Sequence, residues 1–393
     1  MKINVILFPV LLAAYEAITY LSNDAYLPAL PNITHDLASS QHLIQLTLTT
    51  WFLGSASMQI ILGPIADRFG RRIVLLTGGI IFIIATLVCA LTSSINTLLL
   101  FRYIQGATIP SMIVAGYATI YELYDHETAI HTLAWMNSLT LIAPSLGPLF
   151  GALLLPYTGW RWIFGLLSIM AGLIIIGLYF KMPETNSYGK NAIQLSRILK
   201  EYGRILSNAN YMKSVLSSCF LLGAIIAWIA AGPFLVMTQF HYSPLTFGIL
   251  QALIFGCFIV GTQTIKPLMK KIKSYKLASF GINITFYSGL LALVTTWFFT
   301  NTLISLIIPM MLLAWGSGLY FPILNRISIE TSNEPMGARI AVFSTLMSGF
   351  AMLSSALISG VYNGTSLSLA IFLAFFSTIA YLLKLTIPQR IIT

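Results

Sequence analysis

The sequence predicts an all-α membrane protein with twelve transmembrane helices in two six-helix bundles. Hydrophobic residues make up 57% of the 393-residue chain and charged residues only 8%, and the mean hydropathy is +0.86. A soluble domain of this length could not cover its surface with so few charges. Apolar stretches of roughly 20 residues, enough to cross a bilayer, recur from end to end. They fall six and six on either side of the one long hydrophilic stretch, 181–210.

Span one covers 5–30. It follows a single Lys2 with no small-residue cleavage site, and its apolar run continues past Glu16, so it reads as a retained span rather than a signal peptide. Spans two and three, 42–66 and 73–94, flank a loop with Arg68, Arg71 and Arg72. Spans four to six, 96–121, 129–156 and 160–180, complete an N-terminal bundle over 1–180. A linker over 181–210 comes next. There Ile193, Leu195, Ile198, Leu199, Ile205 and Leu206 can share one stripe, which predicts a surface helix lying against headgroups. Spans seven to twelve, 211–239, 246–269, 276–299, 302–327, 339–361 and 367–387, form the C-terminal bundle over 211–393.

With the N-terminus inside, 19 of the 21 Lys and Arg residues fall on the cytoplasmic side, leaving Arg102 and Arg161. That asymmetry is the positive-inside pattern and predicts that both termini are cytoplasmic. It also accounts for the net charge of +10 with no nucleic-acid partner. Cys89, Cys219 and Cys257 lie in apolar runs as small hydrophobes, and the five histidines have no ligand company, so no metal is expected. No Gly-x-x-x-x-Gly-Lys-Ser/Thr loop occurs, so no nucleotide and no other cofactor is expected.

Glu16 and Asp24 interrupt span one, and Arg102 interrupts span four. Ionised groups at such depth cost several kcal/mol unless paired or wetted, so they mark an ion or substrate path. Glu16 lies ~16 Å into its span, near the midplane, and Asp24 is about 12 Å further and about 80° around, so both can face one cavity. Asp24 and Arg102 each sit six residues from the outer end of antiparallel spans, at a common depth of roughly 9 Å that would permit a carboxylate–guanidinium pair. The residues alone leave other readings open: a protonated Glu16 bonded to a neighbouring helix, a loop-proximal Asp24, and an Arg102 that snorkels to the interface. Glu122, Asp125 and Glu127 cluster at the inner end of span four as a solvated helix end, with Glu122 a secondary proton candidate.

Local motifs sharpen this. Gly63-Pro64-Ile65-Ala66-Asp67-Arg68-Phe69-Gly70-Arg71-Arg72 resembles the loop 2–3 signature of the major facilitator superfamily. There Gly63-Pro64 permits a tight exit, Asp67 can cap a neighbouring helix, and Arg68 and Arg71 can pair with acids at helix ends. Arg102-Tyr103-Ile104-Gln105-Gly106 resembles the Arg-x-x-Gln-Gly signature of proton-coupled members. Ala143-Pro144-Ser145-Leu146-Gly147-Pro148-Leu149-Phe150-Gly151-Ala152 resembles the antiporter signature, with Ala143 and Ala152 in place of family glycines. Asn23-Asp24-Ala25-Tyr26-Leu27-Pro28-Ala29-Leu30-Pro31 looks like the signature of Bcr/CflA-type drug exporters, and the first half as a whole is similar to their multidrug/proton antiporters.

That resemblance implies the major facilitator fold, with a central cavity opening alternately to each side, and a monomer that exports diverse lipophilic, drug-like compounds against protons across a bacterial inner membrane. It implies that Glu16 and Asp24 handle protons and substrate, that Tyr20 and Asn23 line the cavity, and that Arg102 is an essential buried base. Tyr117 and Thr140 join the substrate-binding set, while Asp67, Arg68, Arg71, Pro144, Gly147, Pro148 and Gly151 serve conformational change. Trp51, Trp135, Trp228 and Met237 could line an adaptable cavity or simply pack. The rival readings are a dedicated transporter of one metabolite (a siderophore, sugar or amino acid) and a receptor or scaffold without turnover. An enzyme is not expected, since no nucleophile–base pair lies within the spans.

Overall fold

A computed structural model describes residues 2–140, 142–185, 195–300 and 302–387, with side chains for all of these except 2–6, 126, 130, 134, 137–140 and 195–197. Among the described residues every regular element is helical. The chain divides into two compact units, Met1–Gln194 and Leu195–Thr393.

The first unit begins with α1 (Lys2–Asp24), a 3₁₀ turn (Leu27–Ala29) and the short α2 (Leu30–Asp36). Span one therefore ends earlier than expected: its outer part is a turn in which Pro28 sets the backbone. Next come α3 (Gln41–Gln59), capped by the Ser40 hydroxyl on the Leu43 N–H, and α4 (Leu62–Phe69), bent by 52° from α3. After them stand α5 (Arg71–Leu91), α6 (Ile95–Ser111), a π-helical turn (Met112–Tyr117) and α7 (Ala118–Leu123). The unit closes with α8 (His126–Thr140) and α9 (Ile142–Lys181). The carboxylate of Asp125 takes the Thr128 N–H at 3.0 Å and starts α8.

The second unit holds α10 (Leu195–Ser207), α11 (Ala209–Phe234), a π-helical turn (Leu235–Gln239), α12 (Pro244–Met269), α13 (Ser274–Phe298), α14 (Ile304–Glu330), α15 (Met336–Val361) and α16 (Ser366–Leu385). The linker stripe is split in α10. Ile205 is fully buried with Tyr211, Val215 and Met347 of the second unit, whereas Leu199 and Leu206 stay exposed. Ile193 and the side chain of Leu195 lie outside the described residues.

Nine helices among the described residues are long and apolar enough to cross a membrane, ten if the bent α3–α4 pair is one span. Twelve were expected, and part of the difference lies in α9. The 40-residue α9 is two helices joined at Gly159 (φ +74°), where a side chain would be strained, so it holds one expected span and part of another.

Helix pairing repeats between the units. In the first, α6 packs on α3 and α5, and α9 on α1 and α5; in the second, α14 packs on α12 and α13, α16 on α11 and α13, and α15 on α11. Glycines set the tightest crossings. A Cβ on Gly106 of α6 would run into the Trp51 carbonyl of α3, and one on Gly54 of α3 into the Tyr103 carbonyl. Gly261 and Gly318 do the same between α12 and α14, against Trp315 and Phe258. Small residues let helix backbones approach in lipid, where apolar burial alone does not drive association.

Candidate functional site

The first-unit crossings enclose a buried polar network centred on Arg102. Because Gly106 seats α6 against α3, the Arg102 side chain, one turn earlier, is trapped among helices and is fully buried. It donates from Nη2 to Asn23 Oδ1 at 2.8 Å and from Nη1 to the Ser22 carbonyl at 3.1 Å. It also donates from Nη1 to Gln105 Oε1 at 2.5 Å and from Nε to the Thr47 carbonyl at 3.4 Å. The Tyr26 ring lies 4.6 Å from the guanidinium carbon and the Trp51 ring 6.0 Å, a cation–π arrangement. Gln105 Nε2 continues to Thr86 Oγ1 at 2.8 Å, and the Tyr26 hydroxyl meets Thr47 Oγ1 at 2.8 Å. Arg102 does not snorkel; its donors are spent on neutral acceptors.

The expected Asp24–Arg102 ion pair is corrected. The two residues share a level, but Asn23 stands between them: its Oδ1 accepts from Arg102 and its Nδ2 donates to Asp24 Oδ1 at 3.3 Å. Consecutive helix positions differ by about 100°. Asn23 therefore looks toward α6 while Asp24 turns toward α9, where a Cβ on Gly147 would lie 3.0 Å from the Asp24 Cβ. Asp24 is 3% exposed. Gly151 brings α9 onto the Ala25 backbone, so the small residues of that stretch, between Pro144 and Pro148 and beyond, are where α9 lies against the end of α1.

Glu16, 2% exposed, lies two turns below Asp24. Its Oε1 accepts the Tyr117 hydroxyl at 2.7 Å, while its Oε2 is buried without a hydrogen-bond partner. Tyr117 ends the π-helical turn that comes after Pro110. π-helical turns are frequent at functional positions. Tyr20 is half-buried and packs on Trp51, with ring centroids 6.5 Å apart. The side chain of Thr140 lies outside the described residues. Trp135 is exposed, and Trp228 is buried with its Nε1 on Gln251 Oε1 at 2.6 Å.

At the basic end of the first unit, Arg71 pairs with Glu122 (Nη2–Oε1 2.8 Å), whose other oxygen accepts from Thr185 Oγ1 at 2.5 Å. The carboxylate at the start of α5 is that of Glu184, which accepts the Arg71 and Arg72 N–H groups at 3.1 and 3.2 Å. A helix N-terminus carries partial positive charge and free N–H groups, which is why it takes a carboxylate. Gly70, at φ +99°, turns the chain into this geometry, and a Cβ there would meet Glu184 Oε2 at 2.6 Å. Asp67 reaches Arg71 at 3.8 Å, and the Arg68 guanidinium lies 5.4 Å from the Phe69 ring.

The opposite end is fastened by Asp36, which accepts Trp160 Nε1 at 2.9 Å and Arg161 Nη1 at 3.4 Å; Arg161 also donates to the Thr92 carbonyl. The Trp160 hydrogen bond, with His35 and Arg161 beside it, holds the Asp36 carboxyl below the usual aspartate range. A lowered folded-state pKa stabilises at pH above the ordinary value of about 3.9 and ceases to do so as pH falls through the folded-state value. The thermal midpoint of the parent protein should exceed that of Asp36→Asn near neutral pH, and the gap should close only below about pH 4. Thermal denaturation against pH checks this.

Stacked helices of this topology, with charges buried within the first unit and a basic loop after its second span, define a multi-span membrane transporter. The Major Facilitator Superfamily profile matches residues 12–356, and the chain belongs to that superfamily. Among curated relatives, Multidrug transporter MdfA of Edwardsiella piscicida is 31% identical over 84% of this chain and 81% of its own length. Chloramphenicol resistance protein CraA of Acinetobacter baumannii is 29% identical over 88% of this chain and 84% of its own. Multidrug resistance protein MdtM of Salmonella typhimurium is 28% identical over 86% and 81%. Among solved structures, a bacterial homologue of the human lysosomal transporter Spinster, inward-facing and unoccupied, superposes with a TM-score of 0.75 at 16% identity, covering 98% of each chain. The nucleoside transporter NupG superposes with 0.72 at 13%, covering 98% and 99%. Those two similarities speak to the fold.

Proposed function

We propose that this chain is a proton-coupled antiporter that exports diverse lipophilic drugs or toxic compounds across a bacterial inner membrane by alternating access, as a monomer with both termini cytoplasmic. The observation that carries the reading is the pair of buried carboxyls on α1. Asp24 reaches Arg102 only through the Asn23 amide, and Glu16 is held by the single Tyr117 hydroxyl. Neither is locked in an ion pair, so each can take a proton or face a cationic substrate with little rearrangement. Protonation favours one access state and substrate the other. The names of relatives such as MdfA, MdtM and CraA support drugs over a single metabolite as cargo.

The test is drug-induced proton release from purified protein. Glu16→Gln should abolish it while the variant remains folded, and neutral substrates should still bind because their recognition needs no carboxylate. Proton release equal to the parent's would sink the assignment of Glu16. Drug/proton exchange in proteoliposomes tests the antiport itself.

A further inference from the structure

Two contacts of the first unit lie at either end of one short rod. α7 spans only Ala118–Leu123. At its start, Tyr117 holds Glu16; five residues on, about 7.5 Å along the axis, Glu122 holds Arg71. Immediately before the rod stands the π-helical turn Met112–Tyr117, which accommodates one residue more than an α-helix would. We infer that Tyr117 is a positioning residue for the Glu16 carboxyl, and that α7, hinged on this turn, couples Glu16 to the Arg71–Glu122 pair at the basic end of the unit.

A π turn relaxing to α register rotates the helix downstream of it by about 100°. Upstream, α6 cannot supply that rotation, because Arg102 is fixed by its hydrogen bonds and Gly106 is seated on the Trp51 backbone. The rotation therefore falls on α7 and carries Tyr117 and Glu122 away from their partners together. Opposing it is the Tyr117–Glu16 bond, which is charge-assisted and stronger while Glu16 is ionised, and an ordinary neutral one once Glu16 is protonated. Glu16 Oε2 has no partner, so no second donor holds the carboxyl when that bond weakens. The turn itself fits closely: a Cβ at Gly116 would meet Leu12 of α1 at 2.7 Å and Leu75 of α5 at 3.2 Å.

Other titratable groups do not supply the same link. On α1 itself these are Lys2, Tyr15, Tyr20 and Asp24, and beside Tyr117 there is the exposed Tyr121. α9 lies on α1 at Gly147 and Gly151 and again at Gly177, against Leu11; its stretch from 142 to 156 contains no titratable residue, and beyond it stand Tyr157, Arg161, Tyr179 and Lys181. α8 carries His126, Glu127 and His131; Glu127 and His131 are exposed, and the side chain of His126 lies outside the described residues. At the far end Glu122 faces Arg71 and Thr185, with Asp67 on the other side of Arg71.

The inference rests on Glu16 being the proton site, and its test needs no transport, so the two can fail separately. Amide hydrogen exchange of 112–123 is followed against pH in purified full-length protein, after correction for intrinsic rates. In the parent, exchange of this segment should rise about tenfold as Glu16 becomes protonated, the factor by which a charge-assisted bond exceeds a neutral one. Tyr117→Phe should show the raised exchange at every pH, with no pH step. Glu16→Gln should do the same, and it serves should Tyr117→Phe fail to fold. Glu122→Gln should lower the thermal midpoint of the parent but have little further effect in the Tyr117→Phe background. A parent-like pH step in either Tyr117→Phe or Glu16→Gln overturns the coupling, as do additive effects of Tyr117→Phe and Glu122→Gln. A uniform rise in exchange that keeps its pH step would mark Tyr117 as a packing residue.

Discussion

Arg102→Met is expected to abolish transport and to destabilise the protein by at least about 3 kcal/mol, because the loss orphans buried acceptors that each cost about 1–3 kcal/mol when unpaired. Asn23 Oδ1 and Gln105 Oε1 lose their donor outright, at positions that are 5% and 0% exposed. The Tyr26 ring loses the cation over its face. Arg102→Lys retains the charge but offers a compact ammonium in place of a planar fork. It can satisfy one or two of the four acceptors named above, so it should recover part of the stability and little of the coupling. Thermal unfolding in detergent separates the variants by stability, and proton-driven uptake in everted vesicles by function. If Arg102→Met unfolds with the parent and still transports, the buried network is dispensable and the site has to be sought elsewhere.

Much of this was legible in the sequence because membrane burial makes charge conspicuous. A carboxylate or guanidinium inside an apolar span has few benign explanations, so Glu16, Asp24 and Arg102 stand out without a structure. Asp24 and Arg102 stand at one level, bridged by Asn23. What spacing could not resolve is azimuth. One residue along a helix is about 100° around it, and that is the whole difference between an Asp24–Arg102 ion pair and the Asn23-mediated relay observed. Gln105 and Gly106 were visible as a motif, but their separate tasks emerge only from packing: Gly106 admits the Trp51 backbone and Gln105 passes the Arg102 contact on to Thr86.

Other features carried weaker signals. Glu184 sits in a polar stretch at the end of span six, where a carboxylate looks like ordinary solvated charge; that it caps α5 depends on the positive φ at Gly70, more than a hundred residues away in sequence. Pro110 marks a disturbance in span four, yet a proline can kink, break or widen a helix, and only the coordinates choose the π-helical turn that places Tyr117 on Glu16. In the second unit no charge interrupts the apolar spans over 246–265 and 277–325. Its equivalence to the first shows instead in the Gly261–Gly318 crossing, which small residues scattered through apolar sequence do not announce.

Asn23→Leu should separate the two charges while leaving both in place. Leucine has nearly the shape of asparagine and no polar side-chain atoms, so the guanidinium keeps Ser22, Thr47 and Gln105 while Asp24 loses its one side-chain donor. Transport should fall about ten- to a hundredfold, with a loss of stability comparable to that of Arg102→Met, since both Asn23 hydrogen bonds are to charged groups and each is worth about 1.5–3 kcal/mol. The decisive quantity is coupling. In the parent background, Asp24→Asn and Arg102→Lys should be non-additive in substrate affinity by about 1–2 kcal/mol, as expected for residues in one network. With Asn23→Leu as the background that interaction should vanish. Asn23→Asp provides the opposite perturbation: it sets a carboxylate where Oδ1 now lies 2.8 Å from Nη2, replacing a neutral acceptor by a charge-assisted pair. Such a pair holds the guanidinium more firmly and turns a donor toward Asp24 into a like charge. Asn23→Asp should therefore impair transport at least as severely as Asn23→Leu without the same loss of thermal stability. If instead the Asp24–Arg102 coupling survives in Asn23→Leu, the two charges communicate directly through space, and Asn23 serves only as packing between α1 and α6.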